Sequence, residues 1–340
     1  MRPFTSTISI DEARARLRAT VRPITRRERL PIDKVAGRVA ASDVSSTGYV
    51  PPFARSAMDG YAVVAADTTG ATADLPRTLT VVERVFTGHA PTRAIAPGEC
   101  AEIATGAPLP EGADAVVMVE ETATSDGQHV AIRAEARAGQ NIGRRGADIG
   151  PGDLVVRAGD LLNPSRIGAL AAIGCASVDV YCRPRVAVLS TGNEVVEPGA
   201  ALAGAQIYDV NRFTLAAVID AHGGIAEPHP PARDTLASLE ASLRACADAD
   251  VIIFSGGSSV GEQDVGAEIL AARGEGLFHG IAVKPGKPTG FARLGTQLVL
   301  AMPGNPTSCL SNAYVLLRPL VRQLAGLPAE RPRTREATLT

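Results

Sequence analysis

From Arg183 onward the chain alternates apolar runs of strand length with amphipathic stretches of helical length. RVAVLS, DVIIFSGG and QLVLAMPGNP are the runs. NRFTLAAVIDAHG, TLASLEASLRACADA, VGAEILAARG and TSCLSNAYVLLRPLVRQLAG are the stretches, the first closing on a glycine suited to a helix end. Fully apolar strands separated by helices predict a mostly parallel sheet covered on both faces.

The upstream rhythm is different. Between about residues 58 and 148 lie short β-like runs, YAVVAAD, LTVVERV, CAEIA, DAVVMVEET and HVAIRAEA. Turn-rich pieces such as TGHAPTRAIAPGE and TGAPLPEGAD separate them, which predicts a barrel-like β domain. Nearer the start, Ser9 and Asp11 mark the opening of a helix over DEARARLRATV. LPIDKVAGRVAASDV reads as a short strand and a second small helix, and the prolines of STGYVPPF then enforce extended backbone. The expected division is a discontinuous domain over 1–50 plus 146–182, a β domain over 51–145 and an α/β domain over 183–327. Residues 328–340 read as a linker.

Composition narrows the class without naming a function. The 340 residues suit two or three domains, and 45% hydrophobic with 21% charged residues is ordinary globular usage. A net charge of −2 provides no general basic field for nucleic acid or an anionic membrane, so any anion binding must be local. Cys100, Cys175, Cys182, Cys246 and Cys309 are widely spaced, against a disulfide framework or zinc site and in favour of reduced thiols. No signal-peptide core and no bilayer-length apolar run is present, so a soluble, cytoplasmic protein is expected.

Open parallel sheets bind ligands outside the carboxyl ends of their strands. That rule selects STGNE, SGGSSVGEQD and MPGNPTS, all rich in small polar residues. In the second loop, Gly256 and Gly257 let backbone approach a ligand while Ser255, Ser258 and Ser259 offer hydroxyls. The competing account is a turn with helix-capping serines. Glu194 and Asp264 suit a hard divalent cation shared with phosphate, although acids there also serve helix dipoles. Asp234 reads locally as the N-cap of a helix beginning near Thr235. Lys284 and Lys287 flank Pro285-Gly286 and could gather an oxyanion, or simply decorate a turn. Thr307 is the expected N-cap of the last helix, and Asp59-Gly60 by itself signals only a turn.

SAMDGYAV, TGAPLPEGADAVVMVE, GRRGADIGPGD, VAVLSTGNEV, YDVNRF, FSGGSSVGEQD, AVKPGKPTGF and MPGNPTSC occur in that order. Together they resemble the molybdopterin molybdenumtransferase family, which includes the gephyrin E domain. The resemblance implies a multidomain α/β fold with a mostly parallel molybdopterin-binding sheet domain, a β-barrel-like domain and a discontinuous α/β domain that dimerises. It implies molybdate insertion into adenylylated molybdopterin with AMP release, assisted by Mg(2+), in a homodimer whose sites are composite. By motif match the catalytic roles fall on Asp59, Thr105, Asp148, Glu194, Asp234, Asp264, Lys284 and Lys287, with Glu194 and Asp264 as metal ligands. Thr191, Gly192, Ser255, Gly256, Gly257, Ser258 and Ser259 would line the pterin nucleotide, as would Pro303, Gly304, Asn305 and Pro306. Ala54-Arg55 stand where many relatives carry Asp-Asn, and no role is carried onto them. Relatives usually continue into a further small β domain, toward which 328–340 would lead. Molybdopterin adenylyltransferase and molybdoenzymes are the implied protein partners. A non-catalytic molybdopterin carrier or scaffold is the rival reading, and a lone adenylyltransferase fits the long N-terminal half less well.

Overall fold

The computed structural model describes residues 7–124, 127–233, 235–256 and 274–330. Its contacts separate two compact units, Met1–Ser42 with Ala158–Ile167 and Ser177–Thr340, and Asp43–Arg157 with Gly168–Ala176. In the first unit α1 (Ile10–Thr20) begins where the Ser9 hydroxyl accepts from the Glu12 N–H at 3.1 Å. It buries Ala13 and Leu17, and strand β1 (Arg27–Pro31) follows. The second small helix expected after it is only a 3₁₀ turn, Ile32–Lys34.

The second unit carries β2 (Gly60–Val63), β3 (Arg77–Val85), β4 (Glu99–Ile103), β5 (Ala115–Met118), β6 (Thr122–Thr124) and β7 (His129–Ile132). They form one sheet in the order β5-β2-β4-β3-β7-β6. Its edge strands, β5 and β6, are separated in the chain only by the 3₁₀ turn Val119–Glu121. The sheet therefore curls back on itself into a nearly closed, barrel-like form, which disposes of exposed edges. Gly60 is not a turn residue here. It opens β2, and a Cβ on it would lie 1.9 Å from the Val117 carbonyl oxygen of β5.

The first unit resumes with β8 (Ser177–Tyr181), antiparallel to β1. Then come β9 (Arg185–Ser190), α2 (Asn211–Ala221), β10 (Ile225–Pro228), α3 (Leu236–Ala245) and β11 (Val251–Ser255). After these lie β12 (Glu275–His279), β13 (Gly290–Leu294), β14 (Gln297–Met302), α4 (Pro306–Asn312) and α5 (Arg318–Leu324). The sheet order is β10-β9-β11-β14-β13-β12, with the first four strands parallel. The parallel core matches the apolar runs. The antiparallel pair β12–β13 at one edge was not expected, because its residues lack a continuous apolar run.

Alternate residues of each central strand serve opposite faces. Val186, Val188, Val251, Ile253 and Leu300 pack with Leu215, Ile219, Leu320 and Leu17, whereas Ala187, Leu189, Ile252, Phe254 and Val299 pack with Leu239 and Cys246. Burying each such large side chain contributes about 1.5–3 kcal/mol. The closing helix is divided, with a π-helical segment, Ala313–Leu317, between α4 and α5. Pro319 has no N–H to offer the Val315 carbonyl one turn back. Arg14 Nε from α1 donates to that carbonyl instead, at 3.2 Å.

Two caps differ from expectation. The Thr235 hydroxyl caps α3 by accepting from the Ser238 N–H, and Asp234, the expected cap, lies outside the described residues. Asn305, rather than Thr307, caps α4, with Pro306 in its first turn. Among the described residues no helix is long and apolar enough to cross a membrane.

Candidate active site

The register of the sheet assembles the site. Ser190 pairs with Ser255 and Ser255 with Met302, so β9, β11 and β14 end side by side. β13 runs the other way, beginning with Gly290 opposite Ala301, and β12 ends with His279 opposite Gly290. The lysine loop between them consequently emerges at the same carboxyl edge. Four polar loops share one rim.

Close backbone approach explains the glycines. Gly256 has φ +102, and a Cβ there would sit 2.3 Å from the Thr191 carbonyl oxygen. The Thr191 N–H donates to the Ser255 carbonyl at 2.9 Å, tying the first loop to the second. A Cβ on Gly304 would lie 3.4 Å from Gly256 Cα, so the third loop packs directly on the second. Gly192 has φ +144, and the Glu194 carboxylate lies within 2.7–2.9 Å of the space a Cβ would take. Glu194 thus folds back over Gly192 while remaining exposed. Pro303, Gly304, Asn305 and Pro306 make the turn into α4, whose cap is Asn305.

A buried polar knot beneath these loops carries residues the sequence reading did not single out. Asp209, Asn211 and Arg212 are 4%, 7% and 6% exposed, at the start of α2. Asp209 Oδ1 accepts from the Ser190 hydroxyl at 2.8 Å and from the Arg212 N–H at 3.1 Å. Arg212 Nε lies 3.4 Å from Asp209 Oδ2, while its Nη1 donates to the His229 carbonyl at 3.0 Å. Its Nη2 pairs with Glu197, and that hydrogen bond holds the Glu197 carboxyl below its usual range. Asn211 Nδ2 donates to the Gly304 carbonyl at 2.8 Å. The signal was present in YDVNRF, where three polar side chains cluster at the start of a mostly apolar helix.

The lysine loop is similarly built. Asn312 of α4, 2% exposed, donates through Nδ2 to the Gly286 carbonyl at 2.8 Å and to Thr289 Oγ1 at 2.7 Å. Gly286 has φ +112, and a Cβ on it would lie 2.5 Å from that amide. Lys284 and Lys287 are exposed on either side of this clamped turn. The Cys309 thiol, beneath the rim, is pushed up to about 12 by burial, with Asp209 adding and a hydrogen bond from Ser255 opposing. It stays protonated and is no nucleophile near neutral pH.

In the second unit the Thr105 N–H donates to Asp59 Oδ1 at 2.7 Å, which brings those two exposed residues together. Asp148 is exposed on a separate segment, held by its N–H to the Val50 carbonyl at 2.9 Å. Asp234, Gly257, Ser258, Ser259 and Asp264 lie outside the described residues. Among the described residues no three His, Cys, Asp or Glu side chains gather as a metal group.

An open α/β sheet whose strand-end loops combine glycine-tight backbone, a folded-back carboxylate and two exposed lysines places the chain among α/β proteins with a strand-end ligand site. Comparison with known proteins gives the particular family. Residues 8–174 match the model described as "MoeA N-terminal region (domain I and II)", and residues 187–323 match "Probable molybdopterin binding domain". Molybdopterin molybdenumtransferase 2 of Mycobacterium tuberculosis is 39% identical over 96% of this chain and 81% of its own length. The molybdopterin molybdenumtransferase of Haemophilus influenzae is 37% identical over 94% of this chain and 78% of its own. The crystal structure of a molybdopterin biosynthesis MoeA protein from Pyrococcus horikosii superposes with a TM-score of 0.81 at 38% identity, covering 94% of this chain and 81% of that one. The chain belongs to the molybdopterin molybdenumtransferase family.

Proposed function

We propose that this chain transfers molybdenum into molybdopterin. It binds adenylylated molybdopterin and molybdate; water attacks the phosphoanhydride and AMP departs, while the two dithiolene thiols of the pterin displace two molybdate oxygens, which take up the thiol protons and further protons from solvent and leave as water. The observation that carries this reading is the shared rim of Thr191–Glu194, Ser255–Gly256, Pro303–Asn305 and the lysine loop. Half-buried backbone at Gly256 and exposed backbone at Gly304 suit phosphate, and Lys284 and Lys287 offer the charge that molybdate and departing AMP require. With Cys309 protonated, no covalent enzyme intermediate is invoked; the chain binds, orients and neutralises.

Glu194 provides a hard, exposed carboxylate oxygen at the loop mouth, a donor that fits magnesium shared with phosphate and water. Such an ion, when bound, supplies charge neutralisation at the phosphoanhydride. Asp264, which follows Ser255 closely in the sequence, is proposed as its companion. A homodimer is part of the proposal, the bonded Asp59–Thr105 pair of one copy serving the sheet unit of the other.

The test is magnesium- and molybdate-dependent AMP release by this chain beside Glu194→Ala and Lys287→Ala. Each substitution should slow release by roughly a hundredfold, the scale of removing one electrostatic stabiliser. Unchanged rates would refute both roles. Tight molybdopterin binding without AMP release by the wild type would make the chain a carrier.

A further inference from the structure

Two buried polar atoms at the rim have no hydrogen-bond partner among the described residues; one is a hydroxyl that can donate or accept, and the other, an amide oxygen that can only accept, is oddly chosen for a phosphate site. They are Thr191 Oγ1 and Asn211 Oδ1, on residues 8% and 7% exposed. Ser255 Oγ is accounted for by the Cys309 thiol it faces. Asp209 Oδ2 and Arg212 Nε, formally alike, stand 3.4 Å apart as an ion pair. Thr191 and Asn211 have no such explanation. Buried polar atoms in native proteins are nearly always paired, so an orphan at a site asks what completes it.

The orientation of Asn211 is set by its surroundings. Gly304 presents a carbonyl to the amide at 2.8 Å, so the NH2 group must face it and the oxygen is left over. The two orphans belong to one continuous patch. Asn211 bonds Gly304, Gly304 packs on Gly256, and a Cβ on Gly256 would lie 3.0 Å from Thr191 Oγ1. Phosphate and molybdate oxygens accept hydrogen bonds, and a fixed amide oxygen repels them. What an immovable acceptor takes is an N–H or O–H.

We infer that Asn211 and Thr191 recognise a neutral, donor-bearing edge of the substrate, separate from the groups that hold its phosphates. This rests on the function proposed above, whose ligand has two such edges: the amino-pyrimidinone of the pterin, and the ribose and adenine of the AMP half. Asn211 serves as a specificity residue, its amide anchored on the loop it reads from.

Thr191→Val separates recognition from folding, because the hydroxyl it removes has no partner in the protein. Its melting temperature should equal or exceed that of the wild type, since an unsatisfied buried hydroxyl is replaced by a methyl. Affinity for one ligand half should fall about tenfold, the scale of one lost hydrogen bond. Calorimetric titration of the full chain with AMP and, separately, with molybdopterin assigns the edge. Loss confined to AMP places the contact on the nucleotide, and loss confined to molybdopterin places it on the pterin. Asn211→Ala should weaken the same ligand and also lower the melting temperature, as the Gly304 anchor goes with it. Thr191→Val that binds both ligands like the wild type overturns the inference while leaving the proposed function standing. A wild type that binds neither ligand overturns both.

Discussion

At the scale of single residues, the glycines of this chain divide by what surrounds them. Gly60 faces the Val117 carbonyl, with 1.9 Å between that oxygen and a hypothetical Cβ, whereas Gly48 has nothing within 4 Å. Gly60→Ala should cost more than about 2 kcal/mol, because two backbone segments would have to separate. Gly48→Ala should stay within about 0.5 kcal/mol of the wild type. Thermal denaturation of the two variants checks the contrast. A pair with equal melting temperatures would mean that the β2–β5 spacing relaxes freely. The same reasoning explains why MDGYAV looked like a turn from its letters alone. Asp-Gly is a turn signal locally, and only strand pairing reveals that Gly60 sits where no side chain fits.

At the scale of elements, the lysine loop is held by a helix distant from it in sequence. Asn312 reaches from the end of α4 to the Gly286 carbonyl and Thr289 hydroxyl, while Thr289 Oγ1 donates to the same carbonyl at 2.9 Å. Asn312→Ala should lower stability by about 1–3 kcal/mol, read from urea unfolding, since it strips a buried carbonyl and hydroxyl of a donor. Loosening the turn should also weaken binding of inorganic phosphate or AMP. Full retention of both properties would show that the clamp is dispensable. The split of the closing helix belongs to this scale too. An uninterrupted apolar pattern predicted one helix, and Pro319 is the letter that warned otherwise. The sequence could not announce that Arg14 would satisfy the stranded carbonyl.

At the scale of the whole molecule, burial governs chemistry at the cysteines and at one histidine. Burial pushes Cys100 and Cys309 up to about 12 and Cys246 to about 11. Cys175 and Cys182 are only partly buried. A thiol reagent at pH 8 should therefore label two of the five cysteines rapidly in the native protein and all five after denaturation. Fast labelling of a third native thiol would contradict that ordering. His222 is held below the usual imidazole range, first by burial and then by Arg318 and Arg322, with Glu330 opposing. Its edge also meets the Tyr314 ring. A depressed folded value means that the unfolded chain takes up the proton first, so stability should decline as pH falls below the ordinary histidine value of about 6.5. Between neutral and mildly acidic pH the melting temperature of the wild type should fall more steeply than that of His222→Gln. Parallel curves would remove His222 from the account.

Hydrophobic periodicity sufficed for the parallel sheet, its two helical faces and the string of short strands, because burial on both faces leaves an unbroken apolar record. The strand-end rule by itself points to STGNE, the Ser255 loop and MPGNP. Three things lay beyond it. Register placed the lysine loop on the same rim, through an antiparallel edge pair whose half-exposed residues leave only a weak pattern. The caps fell to Thr235 and Asn305, whose side chains each meet an open N–H. The Asp209–Asn211–Arg212 knot joins strand ends far apart in sequence, and no local pattern encodes which carbonyls they will find. Periodicity records how each segment meets water, whereas a site records how segments meet one another, and that second set of distances exists only after folding.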